Sequence, residues 1–169
     1  NQFDLVPVTT SLESVISNTR IRKLTRIVYD RDEDNLQKFN SVFSALHSSN
    51  SAVVLILKAE RSHTDIFIGT HKSAGQSGLA GYDAMETLEA AMQGNFPGVD
   101  ISTNLFNKDI YHLLNPIQGD EMNAVASVVG VPSQKGEDAK TFSQGLEKLI
   151  EGMRGREYTS VIQATPVSR

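Results

Sequence analysis

Three glycines, Gly75, Gly78 and Gly81, recur at every third position between a strand-like run and a helix-like one. A glycine-rich loop in that place suits a phosphate, because the free backbone N–H groups of a helix N-terminus attract anions. The spacing argues otherwise. A phosphate-binding P-loop needs G-x-x-x-x-G-K-[ST], with the lysine reaching the phosphates. Neither that pattern nor G-x-G-x-x-G occurs in the chain. The segment reads as a surface loop. With His71, Lys72 and Asp83 beside it, the 71–83 stretch is the one place where a small stand-alone enzyme would assemble a site.

Asp30, Asp32, Glu33 and Asp34 place carboxylates at alternate positions, as a calcium loop does. With Asp30 first, the sixth position lacks the required Gly and the twelfth is Ser41 rather than Glu. The acidic run instead suits a helix start, with Asp30 or Asp32 as cap and negative charge on the first turn. The four histidines, His47, His63, His71 and His112, show neither H-x-H nor H-x-x-x-H spacing. His63 and His71 bracket one predicted strand, too far apart to share a metal at about 3.3 Å per residue. Ser77 lies outside any G-x-S-x-G elbow. Glu147 and Glu151 share a helix face around Lys148, which is the pattern of solvated charge. No catalytic residue, metal ligand or cofactor contact is nominated.

Two small basic groups remain: Arg20, Arg22, Lys23 and Arg26, and, near the other end, Arg154 and Arg156. Arg22, Lys23, Arg26, Arg154 and Arg156 are the candidate contacts to a partner or to nucleic acid, provided both groups meet on one face. The net charge of −4 argues against a dedicated nucleic-acid-binding domain. The absence of cysteine excludes a thiolate zinc site, a cysteine nucleophile and a disulfide framework. With 39% hydrophobic and 21% charged residues, 169 residues suffice for one soluble domain whose core needs no staple. The longest apolar run, residues 52–57, is far too short to span a membrane, and cytoplasm is the expected location.

The elements that would hold these residues follow from periodicity. Residues 24–29 are a first predicted strand. Leu36, Phe39, Val42, Phe43 and Leu46 then recur at helical spacing. Residues 52–59 and 65–70 read as a hairpin, the first strand buried on both faces. A helix over 79–93 is stopped by the Gly94–Gly98 stretch with Pro97 inside it. A short strand at 99–103 and a helix at 107–114, ended by Asn115-Pro116, come next. The last third predicts a buried strand at 125–131, a helix at 137–153, a Gly-rich turn and a strand at 158–164. The fold class is α+β: a mixed β-sheet with helices packed on one face, in the ferredoxin-like βαββαβ order extended by αβαβ. Residues 1–25 are expected as an N-terminal arm and 26–169 as a single α+β domain.

The run Val125-Ala126-Ser127-Val128-Val129-Gly130-Val131-Pro132-Ser133 and the stretch from Gln144-Gly145-Leu146 through Gly152-Met153-Arg154-Gly155-Arg156-Glu157-Tyr158-Thr159 resemble the N-terminal region of large bacterial ATP-binding proteins of the FtsK–HerA superfamily. That group includes the conjugation and type IV secretion ATPases. Tyr29-Asp30-Arg31-Asp32-Glu33-Asp34-Asn35-Leu36 and Met92-Gln93-Gly94-Asn95-Phe96-Pro97-Gly98 fit the same picture. The resemblance implies a non-catalytic α+β domain preceding a RecA-like motor. It implies no cofactor in this chain, with ATP and magnesium confined to a downstream motor domain. It further implies self-association or docking to other subunits, and nucleic acid as a partner only through the motor. The start at Asn1 and the ending Thr165-Pro166-Val167-Ser168-Arg169 are those expected of a fragment of a larger ATPase. The expected role is a non-catalytic N-terminal assembly or docking domain of an ATP-driven translocase or secretion-type motor. The alternatives are the small enzyme at 71–83 and a structural or adaptor module of a larger assembly.

Overall fold

An unbroken apolar strand needs cover on both faces, whereas an alternating one needs it on one. Residues 52–57 are unbroken, and the architecture answers that demand. In a computed structural model, which describes residues 16–28, 35–47, 49, 51–72, 79–118, 124–129 and 145–165, the elements run β1 (Thr19–Arg26), α1 (Asn35–His47), β2 (Ala52–Ala59), β3 (Thr64–His71), α2 (Leu79–Asn95), β4 (Asp100–Asn104), α3 (Asn107–Gln118), α4 (Gly145–Gly152) and β5 (Tyr158–Ala164). They build one five-stranded sheet in the order β4-β1-β3-β2-β5. The first six elements realise the expected βαββαβ order, and β5 adds one strand beside β2.

The sheet is antiparallel at every described pairing, not mixed. In a split βαβ, each crossover skips one strand, and the strand that fills the gap runs the opposite way. Register places Arg22, Ile68, Leu55 and Ile162 in one row, and Lys23, Phe67, Ile56 and Val161 in the next, on the other face. On the first face Val53 and Ile68 meet Val42 and Leu46 of α1 and Met85, Leu88, Met92 and Phe96 of α2. On the second, Ile21, Val54, Ile56 and Phe67 meet Ile110 and Leu113 of α3. Helices therefore lie on both faces, contrary to the expectation of one. The Ile110/Leu113 pair, three residues apart, gives α3 the apolar stripe that covers the second face of β2. Fully burying one of these larger side chains contributes roughly 1.5–3 kcal/mol.

Three expectations about single elements shift. β1 starts at Thr19, and its residues pair with β3 from Thr19↔His71 to Leu24↔Ile66, so residues 19–25 are a central strand rather than part of an arm. The basic residues of β1 hid it, because charge at a strand centre argues against burial. Residues 124–129 form no strand and are exposed, so the predicted buried strand at 125–131 does not exist over its described part. β-branched composition favours a strand only where a neighbour is there to pair with it. Helix α3 continues through Pro116 to Gln118, because proline in the last turn forfeits a single N–H bond. Helix α4 is described from Gly145; the earlier part of the predicted 137–153 helix lies outside the described residues, as do the acidic start at 30–34 and the glycine loop at 73–78.

Two local devices seat β1. A Cβ on Gly69 would lie 2.1 Å from the carbonyl oxygen of Arg20, so only glycine permits β3 to approach β1 there. On the other side, β1 and β4 pair with register shifts around Leu24. The N–H of Lys23 donates instead to Ser102 Oγ at 2.8 Å, so the irregularity leaves no orphaned donor there.

Candidate functional site

The two edges of the sheet differ. β4 has five residues, carries Asp100 and pairs irregularly, features that blunt an edge against further strands. β5 has seven, Tyr-Thr-Ser-Val-Ile-Gln-Ala, with no charge and no proline. Its inner edge pairs with β2 from Ala59↔Tyr158 to Val53↔Ala164. Among the described residues, no strand pairs with its outer edge. Three backbone hydrogen bonds hold the turn that delivers it. Met153 N–H donates to Leu149 O, Arg154 N–H to Glu151 O and Arg156 N–H to Met153 O. Gly155 takes φ +76°, a left-handed conformation that lets the chain reverse in the Met153–Arg156 turn just past the helix end. Arg61 Nε donates to Glu157 Oε1 at 3.0 Å and ties the β2–β3 hairpin to the start of β5.

Neither face of β5 is fully covered. Val161, on the α3 face, is 41% exposed, and Ile162, on the face of α1 and α2, is 43% exposed. A groove of about 1110 Å³ opens beside the strand, bounded by the hairpin at Lys58–Ser62, the end of α3 at Pro116 and Ile117, and residues 124–128. Val128 and Val129 stand almost wholly in solvent, at 97% and 94% exposed. The outer edge of β5 thus offers backbone donors and acceptors beside half-exposed Val161 and Ile162, while Lys58, Glu60, Arg61 and Glu157 line the groove next to it.

The basic residues singled out from the sequence do not form one patch. Arg22 points to the face of α2, where its guanidinium donates to Glu89 and, through Nε at 2.9 Å, to Asn104 Oδ1. This is an ion pair joining β1 to α2 in a partly buried position, with the guanidinium already engaged. Lys23 points to the opposite face and pairs with Asp65 at 2.8 Å. Arg26 is exposed and donates to Gly98 O at 3.1 Å. Arg154 pairs with Glu151 one turn back, and Arg156 is exposed at the turn. Arg26 and Arg156 do share one end of the sheet. However, β1 and β5 are separated by β3 and β2, about 14 Å at the usual strand spacing. The sequence reading followed charge and passed over β5, whose distinguishing feature is the lack of any charge along an edge strand.

At the opposite end of the sheet, His71 Nδ1 lies 2.9 Å from Thr19 Oγ1, and burial pushes the His71 imidazole below its ordinary range. Lys72 is 6% exposed, held through its N–H to Asn18 O, and makes no ion pair with a described carboxylate. Asp83 is exposed on α2 and pairs with neither of them. Thus the three groups nearest the glycine loop do not converge on one another. Among the described residues, no three histidine or carboxylate side chains cluster to hold a metal, and no helix is long and apolar enough to cross a membrane. The chain matches no protein-family model, no curated protein and no solved structure.

Proposed function

We propose that this chain is a non-catalytic assembly domain that docks to other subunits of an ATP-driven translocase or secretion-type motor, through the outer edge of β5. The observation that carries docking is the uncharged seven-residue edge, unpaired among the described residues, with Val161 and Ile162 half exposed beside it. An edge strand left open in this way is a template for another strand, and proteins that do not use such an edge usually guard it with charge, proline or a bulge. β4, at the other side of the same sheet, is guarded by all but the proline. The motor as the kind of assembly rests on the sequence resemblance at residues 125–133 and 144–159. On this reading ATP and magnesium act in a RecA-like domain, and this fold supplies attachment.

Two measurements test it. ATP with magnesium, titrated onto the chain by calorimetry, is expected to give no binding heat; saturable binding would overturn the non-catalytic reading. Hydrogen exchange on the dilute monomer is expected to show fast exchange for those β5 amides that point away from β2. Full protection of Tyr158–Ala164 in the monomer would mean that the edge is already covered, and docking there would fail.

A further inference from the structure

Resting on that docking reading, we propose that the partner at the β5 edge is a second copy of this chain, paired antiparallel about a two-fold axis at Val161. Three observations converge on it. First, of the two edges formed by the described strands, only β5 is fit to pair. A β5–β4 contact between copies would be heterologous and would grow into a filament, but β4 is short, irregular and charged. A single competent edge closes on itself, which is the isologous arrangement of a two-fold dimer.

Second, β5 is self-complementary. A two-fold axis perpendicular to the sheet keeps each side chain on its own face, so paired residues must share parity and the axis must pass through a residue position. Val161 is the midpoint of Tyr158–Ala164, and an axis there pairs all seven residues. Val161 then faces its own copy, Ser160 faces Ile162, Thr159 faces Gln163 and Tyr158 faces Ala164. Apolar side chains meet at the centre, polar ones outside them, and the largest faces the smallest at the ends. No like charges oppose one another, whereas a strand with even one central lysine or glutamate would set it near its own image.

Third, the two half-exposed residues lie on opposite faces at the centre of that register, Val161 toward the α3 side and Ile162 toward the α1–α2 side. A neighbouring strand would cover both at once. The product is a continuous antiparallel sheet with five strands from each copy, ending at β4 on both sides.

The chain contains no cysteine, so one introduced thiol reports the register without interference. Light scattering on the eluting protein at high micromolar concentration is expected to give twice the monomer mass of 18.5 kDa, and Ile162→Lys to give the monomer. Under mild oxidation Val161→Cys should crosslink to its own copy. Gln163→Cys should not, because the axis at Val161 sets it about 13 Å from its image, beyond disulfide reach. A monomer at every concentration overturns the proposal, as does equal crosslinking of the two cysteine variants. If the protein is monomeric and its outer β5 amides exchange fast, only the second copy fails and docking to a different subunit stands. If those amides are protected in the monomer, both fail.

Discussion

Gly69 passes so close to Arg20 that a Cβ would stand 2.1 Å from the Arg20 carbonyl oxygen. The obstacle is backbone, which cannot swing aside as the end of a long side chain would. Gly69→Ala must therefore push β3 away from β1 at the centre of the sheet. The expected loss is about 2–4 kcal/mol of unfolding free energy, in the range of severe overpacking. Urea unfolding of the variant measures it, and an effect below about 0.5 kcal/mol, typical of a neutral surface change, would contradict the close approach.

The Arg22–Glu89 pair joins β1 to α2 in a mostly buried site, with Asn104 taking a second bond from the guanidinium. Removing one partner leaves the other partly buried with fewer bonds to offset its lost hydration. Glu89→Ala is expected to cost about 2–3 kcal/mol, near the lower bound for breaking a buried pair. Replacing both, with Arg22→Met and Glu89→Leu, should cost less than Glu89→Ala alone. A double-mutant cycle in chemical denaturation checks this, and simple additivity would show that the two residues do not interact.

Lys72 is a buried cation with no described carboxylate in reach. Among the described residues no carboxylate pairs with it, so any hydration the ammonium gives up on burial is not offset by a described ion pair. Lys72→Met keeps the unbranched stem and removes the charge. The variant is expected to melt at a higher temperature than the wild type in scanning calorimetry; a lower melting temperature would reveal that the ammonium is in fact well solvated or paired.

His71 makes stability depend on pH in one direction. Its folded pKa is lowered by desolvation, so between that value and the ordinary 6.5 the unfolded chain binds the extra proton. Stability contributed by the neutral ring is fully present above pH 6.5 and is lost as pH falls through the folded pKa. His71→Asn should flatten that part of the pH profile, measured as the denaturation midpoint between neutral and mildly acidic buffer. An unchanged slope would assign the acid sensitivity to other groups.

Much of the fold is legible in the residues. The run at 52–57 announces a strand buried on both faces, and the spacing of Phe39, Val42 and Leu46 announces the helix that covers one of them. Asp65-Ile66-Phe67-Ile68 after a short polar link announces the hairpin. Local pattern suffices there because each element's apolar face is complete within its own sequence. It fails at β1, where Arg22 and Lys23 sit in the middle of the sheet only because Glu89 and Asp65, distant in sequence, neutralise them. It fails again at 124–129, where a valine-rich run pairs with no strand among the described residues.

The sequence by itself determined the class of the fold, the order of its first six elements and the absence of a P-loop. All of these depend on short-range periodicity and on residue types at fixed spacing. Only the tertiary structure decided that the sheet is antiparallel, that α3 covers its second face, and that β5 is the last strand of the sheet among the described residues. Strand order and edge position depend on which residues far apart in the chain come to lie side by side. An uncharged strand in the sequence is silent about whether it lies in the middle of a sheet or at its rim.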